Sequence, residues 1–191
     1  SQLVIERINS IEQKQSSEQS KFISQRLKEV KSQLTIEEED MKVFMEENID
    51  MSSPDLQIEF LRKIPEEKGS YRYSPQKWSI KQIIGHISDH ERIKMYRAFL
   101  LSRNQQIELW GYDQSALVNN ARFDDLTMSQ LISDLQNIRA ASLSFVNTLS
   151  AEQLAIKGFA TEHEVSLEDF LRTIIGHERH HLEVIKRKYL P

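Results

Sequence analysis

The residues best suited to chemistry lie near the C-terminal end of this sequence, in the segment His177-Glu178-Arg179-His180-His181. In a helix, residues four apart lie on neighbouring positions of one face, so His177 and His181 can bind one ion. The segment also satisfies the pattern H-E-x-x-H, in which two histidines bind zinc and the glutamate activates water. These residues therefore indicate a metal site with Glu178 as its candidate catalytic residue.

The place of these residues on the predicted helix supports a metal site. An ideal helix puts Glu178 and His181 inside an apolar stripe and His177 at its edge, whereas His180 points toward solvent. Burial of a carboxylate and two imidazoles is costly unless these groups are paired or bind a metal. The stripe consists of Leu167, Phe170, Leu171, Ile174, Leu182 and Ile185.

A second segment of the chain repeats the first. Ile83-Ile84-Gly85-His86 is identical to Ile174-Ile175-Gly176-His177, both histidines fall at the same edge of their stripes, and His90 takes the place of His181. Equivalent faces suggest a bundle in which the two helices pack side by side and present histidines to one interior point. The alternative is a coincidence between two buried helices. We favour the shared site because buried histidine clusters are costly without a role.

His86 is the best candidate for a third metal ligand. Proteases with H-E-x-x-H usually place this ligand downstream, but only ten residues follow His181, and Val184 stands where the metzincin extension needs glycine. Three neutral imidazoles leave coordination positions open, as in catalytic sites. All-nitrogen ligation suits zinc, nickel, copper or iron. Because the sequence has no cysteine, a catalytic thiol would have to come from a cosubstrate.

Composition favours a single all-α domain. The 191 residues are enough for one sizeable core, and only five glycines and four prolines argue for long helices with few tight turns. The net charge of −4 gives no general attraction to nucleic acid or anionic membranes. The sequence has no run of about 18 apolar residues that could span a bilayer, and no apolar core of a secretory signal at its N-terminus. We therefore expect a cytoplasmic protein that binds neither nucleic acid nor membrane.

Capping residues and apolar periodicity predict the order of the helices. Residues 1–52 are predicted to be helical, with a polar interruption at residues 15–20, and residues 105–113 and 157–163 are predicted loops. The later helices are predicted to begin at Ser53-Pro54, at Ser79 (to about Arg103), near Ala116, at Thr127 (to about Leu149), at Ser150 for one short turn, and at Ser166 (to about Tyr189).

Several motifs spread from about Leu61 to Leu190 together carry a family resemblance. They are Ile64-Pro65-Glu66-Glu67-Lys68, Tyr71-Arg72-Tyr73-Ser74-Pro75, Lys77-Trp78-Ser79-Ile80-Lys81, Gly85-His86-Ile87-Ser88-Asp89 with Glu91-Arg92, Gly111-Tyr112-Asp113-Gln114, and Gly176-His177-Glu178-Arg179-His180-His181. This set resembles the DinB-like (DinB/YfiT) superfamily of metal-binding four-helix bundles. The three metal-binding histidines of that family fall here on His86, His177 and His181.

The resemblance implies a DinB/YfiT-like four-helix bundle in residues 53–191, with additional N-terminal helices in residues 1–52. It also implies a divalent metal ion, zinc or nickel, and a homodimer. Family members include thiol S-transferases that use bacillithiol or mycothiol, a mycothiol-dependent isomerase, and proteins described as metal-dependent hydrolases.

Two features depart from the family pattern. His90 stands where relatives more often carry a small residue, so it could be a fourth ligand that closes the site. Ser52-Ser53-Pro54 interrupts the position of the first bundle helix, which could instead come from residues 17–34 or from a partner chain.

Other residues have plainer interpretations. Trp78 is a packing anchor or a substrate wall, and Glu91 forms an ion pair with Arg97 or Lys94. His180 and His163 are surface histidines, of which His163 lies in a loop that could cover the site.

We expect a metal-dependent enzyme that transfers a low-molecular-weight thiol of the bacillithiol type to small electrophiles. A bundle interior offers a small cavity for such substrates, whereas a peptidase usually needs a long groove with an edge strand. One alternative is a hydrolase in which Glu178 activates water. Glu178 could instead orient an imidazole that binds the metal, without binding the metal itself. The other is a non-catalytic interaction bundle whose metal site is closed by His90.

Overall fold

A computed structural model describes residues 54–105, 112–160 and 163–190 of the chain. The helices predicted within residues 1–52, including residues 17–34 as a first bundle helix, lie outside the described residues. Trp110 and Gly111 of the predicted loop lie outside them as well. The described part of the chain is helical apart from one two-stranded sheet, so the all-α prediction is confirmed.

The described helices alternate between long and short segments. In chain order they are α1 (Pro54–Arg62), α2 (Ile80–Ser102), α3 (Gln114–Asn120), α4 (Met128–Val146), α5 (Ala151–Leu154) and α6 (Leu167–Val184). Short 3-10 helices cover Glu66–Lys68 and Phe123–Asp125, and a π-helical turn, Ile185–Tyr189, continues α6. None of the described helices is both long and apolar enough to cross a membrane.

Side-chain caps fix the starts of the helices as predicted. Ser79 accepts a hydrogen bond from the backbone N–H of Gln82 (3.0 Å), and the Gln82 side chain accepts one from the backbone N–H of Ser79 (3.1 Å). These reciprocal bonds satisfy N–H groups that have no partner within the first turn of α2. The capping residues of α4, α5 and α6 are Thr127, Ser150 and Ser166.

The predicted loop at residues 157–163 is wrong. Strand β1 (Lys157–Ala160) pairs antiparallel with β2 (His163–Ser166), with Lys157 opposite Ser166 and Ala160 opposite His163. The sequence between the strands, Thr161-Glu162, has neither the glycine nor the asparagine that marks a tight hairpin, so the pattern gave no signal.

Helix α4, predicted to run to about Leu149, ends slightly earlier, at Val146. The backbone N–H groups of Thr148 and Leu149 donate to the carbonyls of Phe145 and Val146 at 2.9 and 3.0 Å. These bonds span three residues instead of four, which tightens the chain into a turn.

Helix α2 is central, because it packs against both α4 and α6, while α1 packs against α4. Helices α2 and α6 run antiparallel. Near the start of α2, Ile84 shares a cluster of buried residues with Leu182 at the end of α6. Near the end of α2, Ala98 shares a second cluster with Leu167 at the start of α6. Between the two clusters lies a layer of buried polar side chains, here called the polar layer, formed by His86, His90, Glu91, Arg139, His177 and Glu178.

Replacement of Gly85 is predicted to destabilise the start of α2. A Cβ atom added at Gly85 would overlap the ring of Phe123. We expect Gly85→Ala to lower the free energy of unfolding by about 1–2 kcal/mol, because overpacking outweighs the gain in helix propensity. Urea denaturation measures the change. Phe123→Leu should restore stability in the Gly85→Ala background, and an unchanged or higher stability of Gly85→Ala alone would contradict the overlap.

Candidate metal centre

Helices α2 and α6 bring the three predicted ligands together. His86 lies on α2, and His177 and His181 lie one turn apart on α6. One ring nitrogen from each lies within 4.8 Å of the others, and this is the group of possible metal ligands found among the described residues. The Nε2 atom of His177 is 3.1 Å from Nε2 of His86 and 3.1 Å from Nε2 of His181.

This arrangement suits a divalent cation better than a hydrogen-bonded cluster. The Nε2 atom of a neutral imidazole carries either one hydrogen or one lone pair, so a single atom of His177 cannot form two good hydrogen bonds to the other rings. At a metal–nitrogen distance of about 2.0–2.1 Å, two nitrogens 3.1 Å apart subtend an angle of about 100° at the ion. That angle lies between octahedral and tetrahedral coordination. The three histidines therefore fit a metal ion.

Burial keeps these imidazoles in the form that binds metal. It lowers the pKa of His86 to about 4 and the pKa values of His177 and His181 well below the ordinary range. The cause in each case is loss of hydration of the charged ring, and neighbouring histidines add to it for His177 and His181. Metal ligands must be deprotonated, so the site is ready for a cation at neutral pH.

His90 is not brought into this group of nitrogens. Its ring stacks on that of His177, with centroids 3.6 Å apart and an interplanar angle of 18°. His90 is buried and supports one face of the His177 ring. His180, next to the candidate ligand His181, is exposed as predicted.

Glu178 belongs to a buried ion-pair network. Its carboxylate accepts a hydrogen bond from Nη2 of Arg139 at 2.7 Å. The same guanidinium donates to Glu91 through Nε (3.0 Å) and Nη2 (2.9 Å). With its side-chain amide oriented to donate, Gln57 of α1 approaches the two Glu178 oxygens at 3.0 and 2.8 Å. Glu91 thus forms an ion pair as predicted, and it does so with Arg139 of α4, a partner that the sequence pattern did not indicate.

The pKa values in this network reflect burial and charge pairing. Burial raises the pKa of Glu178, and the Arg139 guanidinium partly offsets this. Burial alone would lower the pKa of Arg139, but its hydrogen bonds and its attraction to Glu91 and Glu178 raise it. Arg139 therefore stays charged between its carboxylates.

Sequence reasoning missed Arg139, although a signal for it exists. The apolar face of α4 repeats at three- and four-residue steps through Leu131 and Leu135, and the next position on this face is Arg139. A charged residue on a buried face needs a partner of opposite charge.

A cavity of about 400 Å³ adjoins the histidines, with His181 in its wall. Trp78 also lines it, and its ring centroid lies 4.8 Å from that of His86 and 6.4 Å from that of His181. Tyr189 forms another part of the wall and donates a hydrogen bond from its hydroxyl to the backbone carbonyl of Trp78 at 2.7 Å. Trp78 thus serves both as packing anchor and as cavity wall.

Fold and site together define an all-α bundle with a histidine cluster that fits a metal ion, and comparison with known proteins agrees. Residues 52–185 match the family model of the DinB superfamily, and the chain belongs to that superfamily. Its fold is similar to that of YfiT from Bacillus subtilis, described as "a probable metal-dependent hydrolase with an unusual four-helix bundle topology". The two chains are 19% identical with a TM-score of 0.58, covering 74% of this chain and 90% of YfiT. The predicted DinB/YfiT-like four-helix bundle is thereby confirmed. No curated protein matches the chain.

Removal of two histidines is predicted to abolish metal binding. Tag-free protein should retain about one divalent ion per chain, and the double variant His86→Ala, His177→Ala should retain none, because one imidazole cannot hold the ion. Elemental analysis after dialysis measures the content. His180→Ala is the matched control and should keep its metal. Stoichiometric metal in the double variant would refute the assignment.

Removal of Arg139 is predicted to be much more costly than removal of a surface arginine. Arg139→Met leaves two buried carboxylates without a cation and should lower the free energy of unfolding of the metal-free protein by about 3–5 kcal/mol. The control Arg92→Met removes an exposed pair between α2 and Asp134 of α4 and should cost at most about 1 kcal/mol. Urea denaturation compares the two variants, and equal losses would contradict the role of the buried pair.

Proposed function

We propose that this protein is a metal-dependent enzyme that acts on small molecules bound in the cavity beside His181. The observation that supports this proposal is the convergence of three imidazole nitrogens, with one of the three histidines, His181, in the wall of a cavity large enough for a small substrate. A divalent ion held by three imidazoles, zinc or nickel in our proposal, keeps open coordination positions and lowers the pKa of a bound thiol or water.

Within this class we favour transfer of a low-molecular-weight thiol to a small electrophile. Glu178 supports this preference, because its carboxylate is held by Arg139 and Gln57 and lies outside the group of converging nitrogens. We assign Glu178 a positioning role, in which it holds α6 and its histidines against α4. A reaction without a carboxylate base is easier with a thiol, whose ordinary pKa of about 8.5 lies far below that of water.

The proposed reaction is a substitution that needs no oxidant or reductant. The ionised thiol sulfur attacks an electrophilic carbon and forms a carbon–sulfur bond with its own electron pair. The bond from that carbon to the leaving group breaks, and the leaving group departs with its electron pair. The thiol proton passes to solvent. Trp78, Tyr189 and His181 enclose the reacting molecules within the cavity.

Hydrolysis is the second candidate, and the pattern His177-Glu178-x-x-His181 is the observation that favours it. In that reaction Glu178 would leave its contact with Arg139 and accept a proton from water. Loss of a general base typically costs a factor of about 10²–10⁴ in rate, so Glu178→Gln separates the two candidates.

The metal-loaded protein should conjugate a thiol to 1-chloro-2,4-dinitrobenzene in a saturable reaction. Bacillithiol, mycothiol, glutathione and cysteine are compared beside ester and peptide substrates. Glu178→Gln should keep the transfer rate within about tenfold, because its amide oxygen can still accept from Arg139, whereas the His86→Ala, His177→Ala variant should lose activity. Ester or peptide cleavage that needs Glu178 and ignores added thiol would favour the hydrolase, and silence in every assay would favour a non-catalytic bundle.

A further inference from the structure

The cavity beside the histidines has walls that suit a flat apolar molecule. Three aromatic side chains, Tyr73, Trp78 and Tyr189, line it together with the aliphatic side chains of Ile83 and Val184. The ring of Tyr73 packs edge-on against that of Tyr189 with centroids 5.0 Å apart. Such rigid rings bury a planar ligand at little cost in side-chain entropy.

The charge in the cavity wall is positive. The cavity is lined by Lys77, and among the described residues that line it none is an aspartate or glutamate. This is notable in a chain whose net charge is −4. The neutral side chains of Gln76, Gln114 and Ser115 and the imidazoles of His180 and His181 form the rest of the polar lining. The polar part of the cavity therefore complements a negative charge.

The loop that carries Lys77 is anchored, so its place at the cavity is a feature of the fold. Arg72 donates from Nη1 to the backbone carbonyl of Lys77 at 2.8 Å and from Nη2 to Asp124 at 2.7 Å. Asp124 also accepts a hydrogen bond from the Ser79 hydroxyl at 2.5 Å. These bonds hold the backbone at Lys77 in place beside the cavity.

We propose that the cavity selects a small aromatic substrate that carries a carboxylate or another anionic group. The ring lies against Trp78 and Tyr189, the anionic group contacts Lys77, and the other end faces His181. This inference rests on the proposed function, because it names the class of electrophile that the site takes. It also distinguishes the cavity from an aromatic cage for cations, since a lysine in the wall repels an ammonium group.

The test measures ligand binding to the metal-free protein, so that neither metal nor turnover contributes. The chain has two tryptophans, and Trp110→Phe leaves Trp78 as the fluorescent reporter inside the cavity. Three quenching probes share one ring and differ in charge: 4-nitrobenzoate, 4-nitrobenzyl alcohol and 4-nitrobenzylammonium. We expect 4-nitrobenzoate to bind roughly fivefold more tightly than the alcohol, as a partly exposed charge pair would give, and the ammonium compound to bind most weakly.

Lys77→Gln should remove the preference for the carboxylate and leave binding of the alcohol unchanged. Lys157→Gln is the matched control, because Lys157 is an exposed lysine of β1 at the opposite end of α2. Equal affinity for carboxylate and alcohol, tightest binding of the ammonium compound, or a preference that survives Lys77→Gln would each overturn the proposal. Because metal is absent, these outcomes leave the proposed metal-dependent activity to stand or fall on its own assay.

Discussion

The contact of Arg139 with two buried carboxylates is the interaction on which the arrangement of the bundle depends. Glu91 comes from α2, Arg139 from α4 and Glu178 from α6, so one guanidinium ties the three long helices together. A buried charge without its partner is far more costly than a buried apolar residue, and this restricts how the helices can rotate against one another. Glu178 directly follows His177 in sequence, so the contact that aligns the helices also aligns the candidate metal ligands.

The role of the glutamate in H-E-x-x-H is decided outside the pattern itself. The pattern specifies a carboxylate beside two ligands, but its proton-accepting ability depends on what lies opposite. Here an arginine on α4 and a glutamine on α1 hold the carboxylate oxygens. A match to H-E-x-x-H therefore points to the histidines more reliably than it points to a mechanism.

Properties that depend on one helix could be predicted from the sequence, and properties that depend on two could be predicted only in part. Ser79, Thr127 and Ser166 indicate where their helices begin, because a capping side chain accepts a hydrogen bond from the backbone N–H three positions later. His86 was placed with His177 because their helices repeat the same four letters. The partner of Glu91 was missed because interhelical pairs depend on the relative rotation of α2 and α4, which no local pattern encodes. The hairpin was missed for a different reason, because Thr161-Glu162 between its strands includes neither the glycine nor the asparagine that marks a tight turn.

The polar layer divides the apolar interior into two regions with their own local stability. Amide hydrogens around Ile84 and Leu182 would exchange with solvent as one group, and those around Ala98 and Leu167 as another, because each region buries its own cluster. An ion bound between α2 and α6 would link the two helices, so that the two regions open together. Slow amide exchange at both ends of the bundle would then indicate that an ion is bound between α2 and α6, although the exchanging residues do not contact it.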